Sequence, residues 1–190
     1  MTDAPAKLWS TELVPSADLD QFFTDGDPWG YESHPDDHRR AGHILSAISS
    51  LSFARILDIG CGDGYLTLRL PPGEIIGVDI SPAAVEWATR KAGLIGRDDV
   101  RFEVCNVFDL DGSDLGDFDL VIVTGVLYKQ YIGHAFSVAS DRILRLLRPG
   151  GHLIHVHIES WFSHAFPLTR VAKRTYPYRD YIHLLEVYRR

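Results

Sequence analysis

Asp58, Gly60, Gly62 and Gly64 stand at alternate positions in the run DIGCGDG, which starts as the apolar stretch RILDI (55–59) ends. Glycines at that spacing let backbone N–H groups approach a ligand with no Cβ in the way. A turn of this kind after a strand, leading into a helix, seats charged groups. The next apolar run, EIIGVD (74–79), ends in Asp79. An acid at that place accepts hydrogen bonds from a ribose 2′-hydroxyl, so loop and acid together point to a nucleoside ligand. Dinucleotide enzymes offer the same acid, and the glycine spacing separates the two cases. Their G-x-G-x-x-G fingerprint needs a glycine where this chain has Tyr65. Asp58, two positions before Gly60, would repel a pyrophosphate and suits a cationic amino-acid end.

These residues need elements that bring the ends of successive strands together. Apolar, β-like runs recur at 55–59, 74–79, 100–105, 118–124 and 152–158, with helical stretches between them. Ser81 followed by Pro82 predicts an N-cap and first turn for a helix over 82–92. Phe136, Ala139, Ile143 and Leu147 fall at helical spacing in a helix over 132–147, stopped by Arg148-Pro149-Gly150-Gly151. Another helix is expected over 36–50, and residues 1–20 read as loosely ordered. Strands alternating with helices give parallel β-α-β units, hence an α/β doubly wound sheet with helices on both faces. VAKRTYPY and DYIHLLEVYRR close the chain as an antiparallel hairpin at one edge.

Composition narrows the function classes. With 190 residues, 45% hydrophobic and 24% charged, the chain suits one globular domain. A net charge of −7 argues against a duplex nucleic acid partner. Between Trp161 and Arg190, however, basic residues outnumber Asp180 and Glu186, which reads either as a solvated surface face or as a rim that attracts an anionic or phosphorylated substrate. No apolar run reaches the roughly 18 residues of a membrane span, and the N-terminus lacks the pattern of a signal peptide. Cys61 and Cys105 fit no metal spacing and are expected to stay reduced in a cytoplasmic protein.

The run ILDIGCGDGYLT resembles the first motif of class I S-adenosylmethionine-dependent methyltransferases. GVDIS resembles their second motif, and LRPGGHLI the segment entering their fifth strand. The likeness implies a Rossmann-like, three-layer αβα fold of seven strands in the order 3-2-1-4-5-7-6, the last antiparallel, with S-adenosylmethionine as cofactor. By that likeness the turn bearing Gly60, Cys61, Gly62 and Gly64 cradles the methionine moiety beside Asp58. Asp79 holds the ribose, Ile80 packs on adenine, and Val107 flanks the ring. Asn106 stands where the family usually places an acid that reads the adenine amino group, and an amide oxygen accepts that bond too. Thr124, after the fourth strand, completes the cofactor set.

DPWGYESHPDDHRR (27–40) resembles the N-terminal lid of a smaller subset, the nodulation-type (NodS-like) N-methyltransferases, which act on amino groups of sugars. Val126-Leu127-Tyr128 resembles their stretch after the fourth strand. The expectation is a lid over residues 1–33 and one methyltransferase domain over 34–190. Trp29 and Tyr31 are rigid surfaces suited to cover a sulfonium or stack on a sugar. Arg40, or its neighbour Arg39, suits a bidentate clamp on the methionine carboxylate. His34, His38 and His43 share part of a helical face without an acid cluster, so no metal is expected.

Methyl transfer to nitrogen or oxygen is an in-line displacement, in which the protein aligns the nucleophile and handles its proton. The candidates follow the fourth and fifth strands. His157, nearest the end of HLIHVHI, is the expected base, with His134 next and Tyr128 as a wall of the acceptor pocket. Base-methylating enzymes carry an Asn/Asp-Pro-Pro-aromatic turn where this chain has Thr124-Gly125-Val126-Leu127, so DNA or RNA bases are disfavoured. Residues 159–168 are short for a link in which the family normally inserts a helix, which implies an open acceptor side or one completed by a second subunit. The expected function is methylation of a small polar metabolite, most simply the nitrogen of an amino sugar. Oxygen methylation and a non-catalytic S-adenosylmethionine-binding subunit are the alternatives.

Overall fold

The computed structural model describes residues 13–112 and 115–190. Seven strands, β1 (Arg55–Ile59), β2 (Glu74–Asp79), β3 (Val100–Val104), β4 (Phe118–Thr124), β5 (Leu147–Ile158), β6 (Thr169–Tyr178) and β7 (Tyr181–Arg189), form one sheet. Their order is 3-2-1-4-5-7-6, as the likeness implies. Strands β1 to β5 pair in parallel, and β7 runs antiparallel to both β5 and β6. Five α-helices accompany them: α1 (Ser16–Phe22), α2 (Pro35–Ile48), α3 (Pro82–Ile95), α4 (Lys129–Ile132) and α5 (Phe136–Leu146).

Alternation along β4 shows how the sheet acquires two apolar faces. Val121 and Val123 pack with Ala139 and Ile143 of α5, whereas Leu120 and Ile122 pack with Ala41 and Ile44 of α2. All of the strand but its last residue, Thr124, is buried between helices, as a central parallel strand must be. Truncating fully buried Ile44 to alanine would cost about 2–5 kcal/mol in transfer and cavity terms. Ser81 caps α3 as expected, its Oγ accepting from the Ala84 amide at 3.1 Å, and Gly96 at φ +68° closes the far end. Register then lines up the strand ends: Ile59 sits beside Val78, and Thr124 beside Val156.

Four sequence expectations need correction. Residues 16–20 are helical within α1, because Asp20 Oδ1 accepts from Ser81 Oγ at 2.7 Å and from the Ala83 amide at 2.9 Å, fixing α1 to the start of α3. The single helix over 132–147 is two, broken where Gly133 turns the chain at φ +58°. Leu147 leaves α5 to pair with Phe118, so Arg148-Pro149-Gly150-Gly151 lies in β5, at a register shift. The glycine turn leads into a 3-10 turn (Thr67–Arg69) rather than an α-helix. The shortness of this segment follows from Tyr65 and Leu66, which are drawn into the core straight after the turn.

Candidate active site

The glycine turn is tied down by its own backbone and by the neighbouring strand. The amides of Gly60 and Cys61 both donate to the Val78 carbonyl, at 2.8 and 3.0 Å. The Gly62 amide donates to Asp79 Oδ2 at 2.9 Å, and Ser81 N–H to Asp79 Oδ1 at 3.0 Å. Gly60 sits at φ +76°, and a Cβ there would lie 2.1 Å from Val126 Cγ2. Glycine is therefore obligatory at this position. Gly64 has a different role from the one expected. It does not line the crevice; its Cα packs against α3 and β3, where an added Cβ would meet Phe102 Cζ at 3.1 Å and Ala88 Cβ at 3.2 Å.

A crevice of about 290 Å³ opens over the strand ends. Of the expected cofactor residues, Trp29, Tyr31, Arg40, Asp58, Gly60, Cys61, Gly62, Asp79, Ile80, Asn106, Val107 and Thr124 all line it. Burial pushes the Asp58 carboxyl up to about 6, against a 2.6 Å hydrogen bond from Thr67 Oγ1 that stabilises its charge. Burial likewise raises Asp79, opposed by the Ser81 and Gly62 amides, and drives the Cys61 thiol upward. Asn106 Oδ1 accepts from Phe108 N–H at 3.0 Å, a local turn that fixes the loop after β3. Thr124 Oγ1 is buried with no hydrogen-bond partner among the described residues. An unpaired hydroxyl and two carboxylates lining one crevice with a glycine turn fit a polar, cationic guest such as a sulfonium amino acid joined to a ribose.

The aromatic segment bearing Trp29 and Tyr31 is held by carboxylates. Asp27 Oδ1 and Oδ2 accept from the amides of Tyr31 (2.9 Å) and Glu32 (3.0 Å), winding the segment so that Trp29 and Tyr31 stack at 6.5 Å. Asp37 of α2, 0% exposed, gathers three partners: Tyr178 Oη donates at 2.6 Å, Arg179 at 2.7 Å, and Arg40 lies at 3.1 Å. Arg40 also lies over the Tyr31 ring at 4.7 Å. Its charge is thus matched by Asp37 before any ligand carboxylate arrives. Arg39, the other candidate clamp, pairs with Asp36 on the outer surface. Arg179 occupies the left-handed region at φ +51° in the turn between β6 and β7. That conformation costs on the order of 1–2 kcal/mol for a residue with a Cβ. It is offset by bonds from its amide to Asp36 (2.7 Å) and from its guanidinium to the Trp29 carbonyl (2.6 Å) and Asp37.

Of the three expected catalytic residues, only Tyr128 lines the crevice. Its oxygen accepts from the Ile158 amide at 2.7 Å, and burial raises its phenol far above the ordinary value. His157 is on the wrong face of β5. The alternation places His155 and His157 together, as expected, but the crevice face is the one carrying Ile154, Val156 and Ile158. His134 is exposed after the turn at Gly133, outside the crevice.

The structure adds lining residues that sequence reasoning missed. Leu19 comes from the stretch expected to be loose, Phe23 from the 3-10 turn just after it, and Tyr178, Arg179, Tyr181 and His183 from the terminal hairpin. His183 stacks on Tyr178 at 3.8 Å, and burial, with the Arg40 charge, pushes its imidazole down to about 3. The period-two rule applied to β7, which puts Tyr181 and His183 on one face, was the available signal. The short 159–168 link supplies a wall itself: Trp161 packs edge-on against Tyr128 (5.3 Å) and Tyr181 (5.2 Å). Part of the basic excess in this region is matched by carboxylates, with Arg170 on Glu186 and Arg179 on Asp37, whereas Arg174 meets the His43 imidazole, at 2.9 Å.

A doubly wound sheet of this order, with a glycine turn and an acid at adjacent strand ends, defines a nucleoside-binding α/β domain. Residues 51–178 match the family described as methyltransferase domain, and the chain belongs to that family. It is 30% identical over 133 residues to nodulation protein S of Rhizobium tropici, covering 67% of this chain and 53% of that protein. It is also 30% identical over 150 residues to phthiotriol/phenolphthiotriol dimycocerosates methyltransferase 1 of Mycobacterium ulcerans, covering 68% and 52%. The chain thus spans about half the length of the curated relatives it matches. The N-methyltransferase NodS of Bradyrhizobium japonicum WM9, solved with S-adenosyl-L-homocysteine, shares the fold with a TM-score of 0.76. That match covers 92% of this chain and 97% of that one, at 24% identity. Among the described residues, no helix is long and apolar enough to cross a membrane.

Proposed function

We propose that this chain transfers the methyl group of S-adenosylmethionine to a nitrogen on a small polar acceptor, of the amino-sugar class. The observation that carries the reading is the aromatic chamber next to the donor crevice. Trp29, Tyr31, Tyr128, Trp161, Tyr178 and Tyr181 line the same space as the glycine turn. Flat aromatic faces suit the C–H faces of a sugar, and they also favour an approaching cation. Family membership and the similarity to nodulation protein S support the same reading.

When bound, the donor supplies a methyl carbon on a sulfonium. On the donor side, Asp58 would face the ammonium of its amino-acid end, the Cβ-free backbone at Gly60 and Gly62 would border the same end, and Asp79 would hold the ribose hydroxyls. On the acceptor side, residues 13–33 act as the lid and exclude water. The base role passes from His157 to a positioning role for His183. Held neutral by its depressed pKa, His183 presents Nδ1, unpartnered among the described residues, to an N–H of the acceptor. At a pKa of about 3 it orients the amine and does not remove its proton beforehand. So held, the amine lone pair would be aimed at the donor's methyl carbon, whose C–S electrons would return to sulfur on transfer, and the product ammonium would shed its proton to water on release. Cys61 and Cys105, both free thiols, are compatible with a reducing cytoplasmic setting.

The test is methyl transfer from labelled donor to a panel of amino sugars, their N-acetyl forms and plain hydroxylated sugars. Transfer to the free amines alone is expected. Transfer only to hydroxyl acceptors would move the reading to oxygen methylation. Donor binding without turnover on any acceptor would leave a binding subunit.

A further inference from the structure

We propose that His155, His157 and Glu186 form a binding site for one divalent metal ion of the zinc type, in the body of the sheet and apart from the donor crevice. The three residues converge from two strands. His155 and His157 are two apart on one face of β5, and Glu186 of β7 lies directly across from His155 in the antiparallel register. One ligand atom from each lies within 4.8 Å of the others, and the residues are 1%, 2% and 4% exposed.

The hydrogen bonding of the cluster makes an unfilled place for a cation. His157 Nδ1 is 3.1 Å from the Ile158 carbonyl, which can only accept, so Nδ1 carries the proton. In the neutral ring, Nε2 is then a bare lone pair, and it faces Glu186 Oε2 at 3.6 Å. Two acceptors point at each other. His155 goes further: neither ring nitrogen has a hydrogen-bond partner among the described residues. Leaving such groups buried and unpaired costs free energy that a shared metal ion would recover.

The surroundings are those of a metal site. The Ile158 carbonyl orients His157, while Arg170 and Tyr188 Oη donate to Glu186 at 2.6 and 2.9 Å. Phe162 lies 4.5 Å from the His155 ring and 4.7 Å from that of His157, providing an apolar shell. Arg170 is 49% exposed along its side chain and lies over Glu186, so its displacement opens a route from solvent. Two neutral imidazoles and one carboxylate suit Zn²⁺, with the fourth position left for water. Ligand atoms around tetrahedral zinc sit about 3.3 Å apart, so the two rings, stacked at 4.6 Å, must rotate inward on binding. None of the three lines the crevice; the ion would clamp β5 to β7, the strands that carry Ile158 and His183.

The experiment uses the full chain, stripped with a chelator and titrated with ZnCl2 against a chromophoric competitor, then with CoCl2 for its visible spectrum. One equivalent bound, a tetrahedral Co²⁺ spectrum and a higher melting temperature with Zn²⁺ are expected. His157→Gln and Glu186→Gln should each weaken binding by more than about 100-fold, and Tyr188→Phe by about 10- to 100-fold. Circular dichroism and S-adenosylhomocysteine binding establish that each variant is folded. Zinc binding that survives both ligand variants overturns the site, as does a stripped protein that takes up no zinc at micromolar concentration.

Discussion

The Asp79 carboxylate accepts a hydrogen bond from the Gly62 amide at 2.9 Å, so the acid at the end of β2 also fastens the glycine turn after β1. In the proposed function the same side chain would serve both the ligand and the loop. Asp79→Ala should weaken S-adenosylhomocysteine binding by about 1–3 kcal/mol, with Asp79→Asn intermediate because its amide oxygen still accepts from Gly62. Calorimetry on both variants checks this, and an alanine variant with normal affinity would remove the ribose role.

Asp58 sets a pH dependence. Its pKa is raised to about 6 in the free protein, and a bound ammonium would lower it, because the charged carboxylate favours the cation. Donor affinity should therefore be constant above about pH 6 and fall as pH drops below it, whereas Asp58→Asn should be weaker but flat. The same raised pKa means that the stability Asp58 contributes is fully present below its unfolded value of 3.8 and is lost as pH rises through about 6. At pH 8, Asp58→Asn should thus be more stable than wild type in urea unfolding, by on the order of 1–3 kcal/mol.

Asp37 is the anchor between α2 and the terminal hairpin. Asp37→Ala strands the buried Arg40 charge and frees Tyr178 and Arg179, and should cost about 3–5 kcal/mol in urea unfolding. Asp37→Asn keeps an acceptor for Tyr178 and should cost less. Equal stability of the alanine variant and wild type would show that the network adds nothing.

Gly60→Ala places a methyl 2.1 Å from Val126 Cγ2 at a backbone angle that alanine resists. Donor binding should be lost, and Val126→Ala in the same chain should not restore it, since the φ of +76° remains. Full rescue by the second substitution would mean that the clash alone mattered.

His183→Ala should lower kcat about 3- to 10-fold, the worth of one orienting hydrogen bond, while leaving donor affinity intact. His134→Ala, on the exposed side of the Gly133 turn, should change neither. A reversed pattern in steady-state kinetics would return the acceptor role to the loop after α4.

The sequence by itself determined the parts of this protein that depend on neighbours along the chain. The 58–64 run with Asp79, the Ser81 cap and the alternation of apolar strands with helices are local patterns, and each implies the same sheet and the same crevice. Only tertiary structure decided what lies between strands distant in sequence. Period two puts His155 and His157 on one face but cannot say which face meets the crevice; the packing of α2 and α5 on opposite sides decides that. Gly64 reads as ligand-binding until α3 is seen against it. Arg179, in a turn of the terminal hairpin, reaches the lid carbonyl of Trp29 only because the antiparallel edge folds back over α2. Glu186 meets His155 for the same reason, through a register that only the folded sheet sets.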